Sequence, residues 1–280
     1  MGKYAALVIG PAGSGKSTLC VTIAEHYATK GRSTHICNFD PAAEELLYSP
    51  SIDVRDLISL EDAMEGKNLG PNGGLVFCME YLLSEGEQWL CEQLGDHAED
   101  FIILDMPGQV EVLSHVPAVP NFAHLLQRVG YNVVVLFLLD ALSATSDAGK
   151  FVSGCTFALS SMVCFDCPFM TVLTKCDLLP PDVKERDLEH FCACDFDHLN
   201  MKPLPGRWQE MVRTMASVIY DFNMVTFRPV DITEVAYVSN LCQLMDEVLQ
   251  VVDDAEVNDR DIPEPSAGYE GNEDESAMAW

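Results

Sequence analysis

Six short apolar runs punctuate the chain, and longer stretches of helical periodicity separate them. The runs are Tyr4–Ile9, Ser33–Asn38, Phe101–Leu104, Asn132–Leu139, Phe169–Leu173 and Val225–Val230. Each is too short for a buried helix and is bounded by Gly, Pro, Asp or Asn, so each is read as a strand. Apolar residues recur at spacings of three and four from the glycine-rich turn after Ile9 to about Lys30, and over Met79–Leu94, Asn121–Arg128, Lys150–Val163, Trp208–Asp221 and Glu234–Val251. Strands that alternate with helices predict an α/β fold, a mostly parallel sheet with helices on both faces. The run at Val133–Leu139 falls far short of the ~20 residues that span a bilayer and fits a strand buried on both sides.

Two segments break the alternation. An insertion at about 41–78 carries helical pieces and the turn-like sequence Gly70-Pro71-Asn72-Gly73-Gly74. The stretch Pro180–Gly206 mixes Pro, Cys and Asp without a period and is expected to be a mobile surface excursion. From Asp253 the sequence turns acidic, with Pro, Gly and Ser and no periodicity, as expected of a disordered tail. The expected division is one domain over 1–252 and an acidic tail at 253–280.

Charge narrows the function. The chain has 280 residues with 16 basic and 44 acidic side chains, a net charge of −28. Such a surface repels the nucleic-acid backbone and anionic lipid, so direct DNA, RNA or membrane binding is not expected. Eleven cysteines at irregular spacing, behind a start that runs straight into a strand pattern, are read as free thiols in a reducing, intracellular compartment.

The chemistry sits at predicted strand ends. Gly10-Pro-Ala-Gly13-Ser14-Gly15-Lys16-Ser17 fills the pattern G-x-x-x-x-G-K-[ST] between a strand and a helix, with Thr18 following. Glycines let backbone N–H groups close round a phosphate, and the helix N-terminus adds positive partial charge. Lys16 is placed to reach the β- and γ-phosphates and Ser17 to offer its hydroxyl to Mg²⁺. Asp105 ends the third predicted strand, where a P-loop protein holds Mg²⁺, and Pro107-Gly108-Gln109 lets the chain pass close to the γ-phosphate. Thr174-Lys175-Cys176-Asp177 ends the fifth. A carboxylate there can accept from guanine N1–H and the N2 amino group, a pair adenine lacks, so the expected ligand is GTP. The Lys175 stem can lie over the base.

Asp40-Pro41-Ala42-Ala43-Glu44, Gly70-Pro71-Asn72 and Asp105-x-Pro107-Gly108-Gln109-x-Glu111, taken with the phosphate loop, resemble the GPN-loop GTPases over about residues 3–250. The run Gly70–Tyr81 is most similar to one eukaryotic branch of that family. The resemblance implies a dimer, with itself or with a paralogue, in which the Gly-Pro-Asn loop of one subunit reaches the nucleotide of the other. Asn72 would then contact a phosphate in trans, where other GTPases receive an arginine. It implies that Gln109 and Asp40 position the attacking water, with Asp40 acting through the Mg²⁺ shell as the alternative. Glu111 joins this group with a less defined role. Asp40 also suits a helix N-cap before Pro41. By position, Pro229-Val230-Asp231 would border the base. Related dimerising P-loop proteins carry an extra lysine where this chain has Pro11. The resemblance further implies work in assembly and nuclear import of RNA polymerase II, with polymerase subunits as partners and a cytoplasmic location that extends to the nucleus.

Other signals are discounted. Cys164-x-x-Cys167, with Cys192 and Cys194 downstream, is read as ordinary thiols rather than zinc ligands. The histidines are scattered, with no pair at metal-ligand spacing on one helix face, and the Met and aromatic residues of Trp208–Asp221 are read as core. Two alternatives stay open: an ATP-dependent P-loop kinase, against which the eight scattered arginines offer no lid-like cluster, and an interaction subunit whose nucleotide is structural.

Overall fold

A computed structural model describes residues 2–95, 100–109, 117–196, 198, 206–222 and 224–251. The acidic segment at 253–280 and Glu111 lie outside them. The strands are β1 (Lys3–Ile9), β2 (Thr34–Asn38), β3 (Ile52–Asp53), β4 (Phe101–Asp105), β5 (Tyr131–Asp140), β6 (Phe169–Thr174) and β7 (Phe227–Pro229). They form one sheet in the order β3-β2-β4-β1-β5-β6-β7, and every pairing is parallel.

The two-residue period of a strand divides each central strand between two cores. On β1, Ala5, Leu7 and Ile9 face one side, and Tyr4, Ala6 and Val8 the other. The Ala6 face packs against helix α1 (Lys16–Thr29) through Leu19, Cys20, Ile23 and Tyr27, and against α10 (Val235–Val248) through Val238, Leu241 and Met245. The Leu7 face meets α3 (Pro71–Gly95), α4 (Ala118–Arg128) and α6 (Ala148–Met162), with Leu82, Phe122 and Phe151 in that core. Neither face of the central strands meets solvent, which is why their sequences read as continuous apolar runs.

The insertion is more ordered than its composition suggests. It contributes β3 to the sheet edge and two helices. The first, α2 (Leu60–Lys67), is N-capped by Ser59: the Asp62 N–H donates to Ser59 Oγ at 3.1 Å and the Ser59 hydroxyl to Asp62 Oδ2 at 2.7 Å. The second, α3, begins at Pro71, eight residues before the predicted start at Met79. Gly70-Pro71-Asn72 is therefore a helix entry rather than a free turn; proline suits a first position, where its missing N–H costs no bond.

The excursion after Pro180 is likewise helical in part. Between α5 (Ala141–Ala144), which follows β5, and the C-terminal helices lie α7 (Pro181–Arg186) and α8 (Leu188–Cys192), and α8 buries Leu188 and Phe191. The α9 helix (Gly206–Phe222) lays one face on the core as its spacing predicts, with Ile219 buried and Val212, Met215 and Ala216 packed beside it, while Trp208, Met211, Tyr220 and Phe222 are exposed. Helical periodicity identifies an apolar face without saying what covers it.

Candidate nucleotide site

Parallel α/β sheets gather ligands at the carboxyl ends of their strands, where the strand order switches direction. Here β1 is the switch point, flanked by β4 and β5, and the predicted site residues cluster at that edge. Gly10 to Ser17 follow β1, Asp40 follows β2, Asp105 ends β4 and Thr174 ends β6.

The loop after β1 depends on glycine at both ends. Gly10 has φ +145°, and a Cβ there would lie 2.5 Å from the Leu138 carbonyl. Gly15 has φ +87° and hands the chain to α1 from the left-handed region. Lys16, the first residue of that helix, folds back over the loop and donates from Nζ to the Gly10 and Pro11 carbonyls, each at 3.2 Å. Burial holds its ammonium below the usual lysine range, while Asp105 and Asp40 pull the other way. Among the described residues, the buried Ser14 Oγ and Gln109 Oε1 have no hydrogen-bond partner. Buried polar atoms are rarely left so; the Ser14 hydroxyl is free to donate to a ligand, and the Gln109 oxygen to accept from one.

Asp105 is 4% exposed. Tyr48 donates to its Oδ2 at 3.0 Å and Ser17 also bonds it. Burial raises the Asp105 pKa, and the Ser17 and Tyr48 bonds and the Lys16 charge oppose that rise. A hydroxyl and a carboxylate against each other form a hard oxygen donor pair, which fits Mg²⁺. Asp40 is also pushed up by burial, chiefly against the Ala42 N–H that bonds its Oδ1 at 2.9 Å. No helix follows it; the bond closes an Asx turn, so the N-cap alternative is replaced by a turn. That turn is braced from below. Asn38 Oδ1 accepts the Asp40 N–H, Asn38 Nδ2 donates to Asp53, and Arg55 clamps Asp53 and bonds the Ala43 carbonyl. Neither Tyr48 nor Arg55 carries a sequence motif that would have singled it out.

The β6 end is tied to the loop. Thr174 donates from Oγ1 to the Ser14 carbonyl at 2.7 Å and to the Leu139 carbonyl at 3.2 Å. Lys175 has φ +59° and donates to Asp140 Oδ2 at 3.0 Å, with Cε 4.0 Å from where a Cβ on Gly15 would stand. Asp177 is half-exposed on the 3-10 turn Cys176–Leu178. The Cys176 N–H bonds the Val230 carbonyl at 3.2 Å, which brings the loop after β7 to the same place. The Asp231 carboxylate in that loop is not presented to a base: it is 1% exposed and bound to Lys184 Nζ, the Thr233 N–H and the Thr233 hydroxyl. Asn72 stands apart from this group in the chain, exposed in the first turn of α3.

A buried ammonium held by carbonyls, glycines in the left-handed region and an unpartnered serine hydroxyl together answer a polyanion, and with the parallel sheet they define a P-loop nucleoside-triphosphate protein. A family model described as "Conserved hypothetical ATP binding protein" matches residues 8–251. GPN-loop GTPase 3 of Dictyostelium discoideum is 40% identical over 260 residues, covering 91% of this chain and 90% of that one. GPN-loop GTPase 3 of Saccharomyces cerevisiae is 38% identical over 257 residues, covering 89% and 93%. A GTPase from Pyrococcus abyssi, solved in its apo form, superposes with a TM-score of 0.71 at 25% identity and covers 88% of this chain and 97% of its own. The chain belongs to the GPN-loop GTPase family. Its relatives are of the eukaryotic branch that the Gly70–Tyr81 run resembles.

Proposed function

We propose that this chain binds GTP with Mg²⁺, hydrolyses it, and works as a dimeric switch in the assembly and nuclear import of RNA polymerase II. The observation that carries the nucleotide choice is the Thr174-Lys175-x-Asp177 turn, anchored to the phosphate loop by the Thr174–Ser14 bond. Lys175 is held beside Gly15 by Asp140, and Asp177 supplies the acceptor for guanine N1–H and the N2 amino group. Ser17 and Asp105 would hold Mg²⁺, which supplies charge neutralisation at the β- and γ-phosphates. Lys16 holds the same phosphates, and Gln109 and Asp40 orient the attacking water, with Glu111 two residues after Gln109 in sequence. Gly13, Ser14, Gly15 and Thr18 complete the phosphate and nucleotide contacts.

Asn72 serves the partner subunit. Its exposure at the start of α3 is what a group acting outside its own subunit requires. The partner is a second copy or a paralogue of the family, and polymerase subunits are the clients. The acidic charge disfavours direct nucleic-acid contact and membrane binding. No helix among the described residues is long and apolar enough to cross a membrane. A cytoplasmic location with passage to the nucleus, and a GTPase domain over 1–252 followed by an acidic segment at 253–280, belong to the same reading.

Nucleotide titrations of the purified protein with Mg²⁺ test it, with GTP, GDP and ATP beside Asp177→Asn. Two bonds to a charged acceptor are worth about 1.5–3 kcal/mol each in general, so the variant should lose GTP affinity by at least tenfold and leave ATP affinity unchanged. ATP preference in the parent would move the assignment to an ATP-dependent kinase; the family model's description names ATP as the bound nucleotide. Sedimentation with GTP, GDP and no nucleotide tests the switch. Identical dimer populations in all three would reduce the nucleotide to a structural ligand.

A further inference from the structure

Behind the sheet edge, in the stretch whose composition suggested a mobile excursion, three metal-binding side chains meet. The α8 helix ends at Cys192, and Cys194 takes the left-handed conformation at φ +52°. The Cys194 N–H bonds the Phe191 carbonyl at 3.2 Å and the Asp195 N–H returns to the His190 carbonyl at 2.9 Å. This reversal sets Asp195 beside His190. His190 Nδ1 lies 3.2 Å from Asp195 Oδ2, and His198 Nδ1 lies 2.8 Å from the same oxygen. The two imidazoles stack with centroids 5.3 Å apart and an interplanar angle of 22°. One donor atom from each residue lies within 4.8 Å of the others.

The segment is anchored from the other side. Phe191 and Phe196 both pack on Phe151, at 5.0 and 5.4 Å between centroids, and Cys194 Sγ sits 3.7 Å from Cys155 Sγ in the core. Anchoring residues thus interleave with His190, Asp195 and His198. The chain is pinned at three points while the three donors converge on its outer side.

We propose that His190, Asp195 and His198 form a binding site for a first-row transition-metal dication of the Zn²⁺ type. Two imidazole nitrogens and one carboxylate oxygen suit that class, and tetrahedral Zn²⁺ at about 2.0–2.2 Å from each places its donors about 3.3 Å apart. The His190–Asp195 and Asp195–His198 spacings are close to that distance already. Each neutral imidazole moves its proton from Nδ1 to Nε2 on binding, so nothing is oxidised or reduced. His198 is 69% exposed on its side chain, which leaves the fourth position to solvent or to a ligand from outside. The site is separate from the nucleotide reading and does not depend on it. The sequence signal is His-x4-Asp-x2-His, which periodicity misses because the second histidine comes back through a loop rather than along a helix face.

The test is a Zn²⁺ titration of the full chain, under a non-thiol reductant and against a chromophoric chelator. The parent should bind one more equivalent than His198→Ala, and Asp195→Asn should bind at least tenfold more weakly. Cys164→Ser with Cys167→Ser should keep the parent's affinity. Because His198 is exposed, its variant should retain GTP binding, which separates lost metal from a lost fold. Co²⁺ in the same site should give d–d absorption without a thiolate charge-transfer band. No Zn²⁺ uptake by the parent, equal uptake by His198→Ala, loss in the cysteine variant, or a thiolate band would each overturn the site.

Discussion

Gly108→Ala isolates the fit between the loop after β4 and the phosphate loop. A Cβ on Gly108 would lie 2.7 Å from Lys16 Nζ, 3.0 Å from Ala12 Cα and 3.2 Å from Ala12 N. The lysine end can swing away, but the Ala12 atoms are backbone of the phosphate loop itself and cannot retreat without opening it. Overpacking a closed site by one methyl costs about 1–3 kcal/mol. If the empty protein relaxes by letting Lys16 or the loop move, the penalty falls on the bound state, and GTP affinity drops about 5- to 150-fold. If it cannot relax, the penalty falls on the fold, and the melting temperature drops by about 2–4 °C for each kcal/mol. Fluorescent-GTP titration and thermal melting, run on the same preparation, divide the two. Gly66→Ala is the control: it lies within α2, and a Cβ there meets nothing within 4 Å. Ala in a helix interior is favoured over Gly by about 0.5–1 kcal/mol, so that variant should melt slightly higher with unchanged GTP affinity. Gly108→Ala with affinity within twofold of the parent and an unchanged melting temperature would refute the reasoning.

Two further substitutions test the struts around the site. Thr174→Val keeps the volume but removes the donor to the Ser14 and Leu139 carbonyls, so denaturant unfolding should show a loss of about 1–3 kcal/mol, with GTP affinity reduced as the loop loosens. For Asp231, burial pushes the carboxyl upward, but the Lys184 and Thr233 bonds outweigh it and hold the folded pKa below the usual range. A depressed folded value means stability that is present above the ordinary carboxylate pKa of about 3.9 and lost as pH falls through the folded one. Asp231→Asn should therefore melt below the parent by a constant gap from pH 8 to pH 5, and melting scans should show the gap closing only below about pH 4. A gap that closes near pH 6 would remove the carboxylate from the account.

Legibility followed locality. The phosphate loop, Asp105 and the Thr174–Asp177 turn each carry their chemistry within a few residues and each end a strand with an apolar signature, so the sheet's carboxyl edge collected them as expected. What resisted reading was set by packing between distant segments. Gly70-Pro71-Asn72-Gly73-Gly74 has turn composition, yet α3 runs through it because Leu75, Met79 and Leu82 bury against the core. Leu188 and Phe191 turned an apparent excursion into helix for the same reason. Tyr48 reaches Asp105 across 57 residues and Arg55 steadies the Asp40 turn through Asp53, and no spacing rule connects them. On α9 the i, i+3, i+4, i+7 face of Val212, Met215, Ala216 and Ile219 packs on the core, while Trp208, Met211 and Tyr220, which the sequence also suggested for it, remain exposed.

The charges at the centre are arranged at some cost to the stability of the empty fold. Lys16, Asp40 and Asp105 share one half-closed space, and burial pushes all three toward their neutral forms. Their mutual attraction offsets part of that penalty, since each acid holds the lysine up and the lysine holds each acid down. An oppositely charged pair in a partly dry site recovers less from its partner than it loses from water, so the empty arrangement is held at some expense to the fold. Negative phosphate oxygens beside Lys16 would favour its charged form. A cation beside Ser17 would do the same for Asp105. The burial that penalises each charge in the empty site also excludes the water that would screen those contacts. The glycines of the loop and the Thr174 strut supply the rest, because they fix the carbonyls and N–H groups before the ligand arrives.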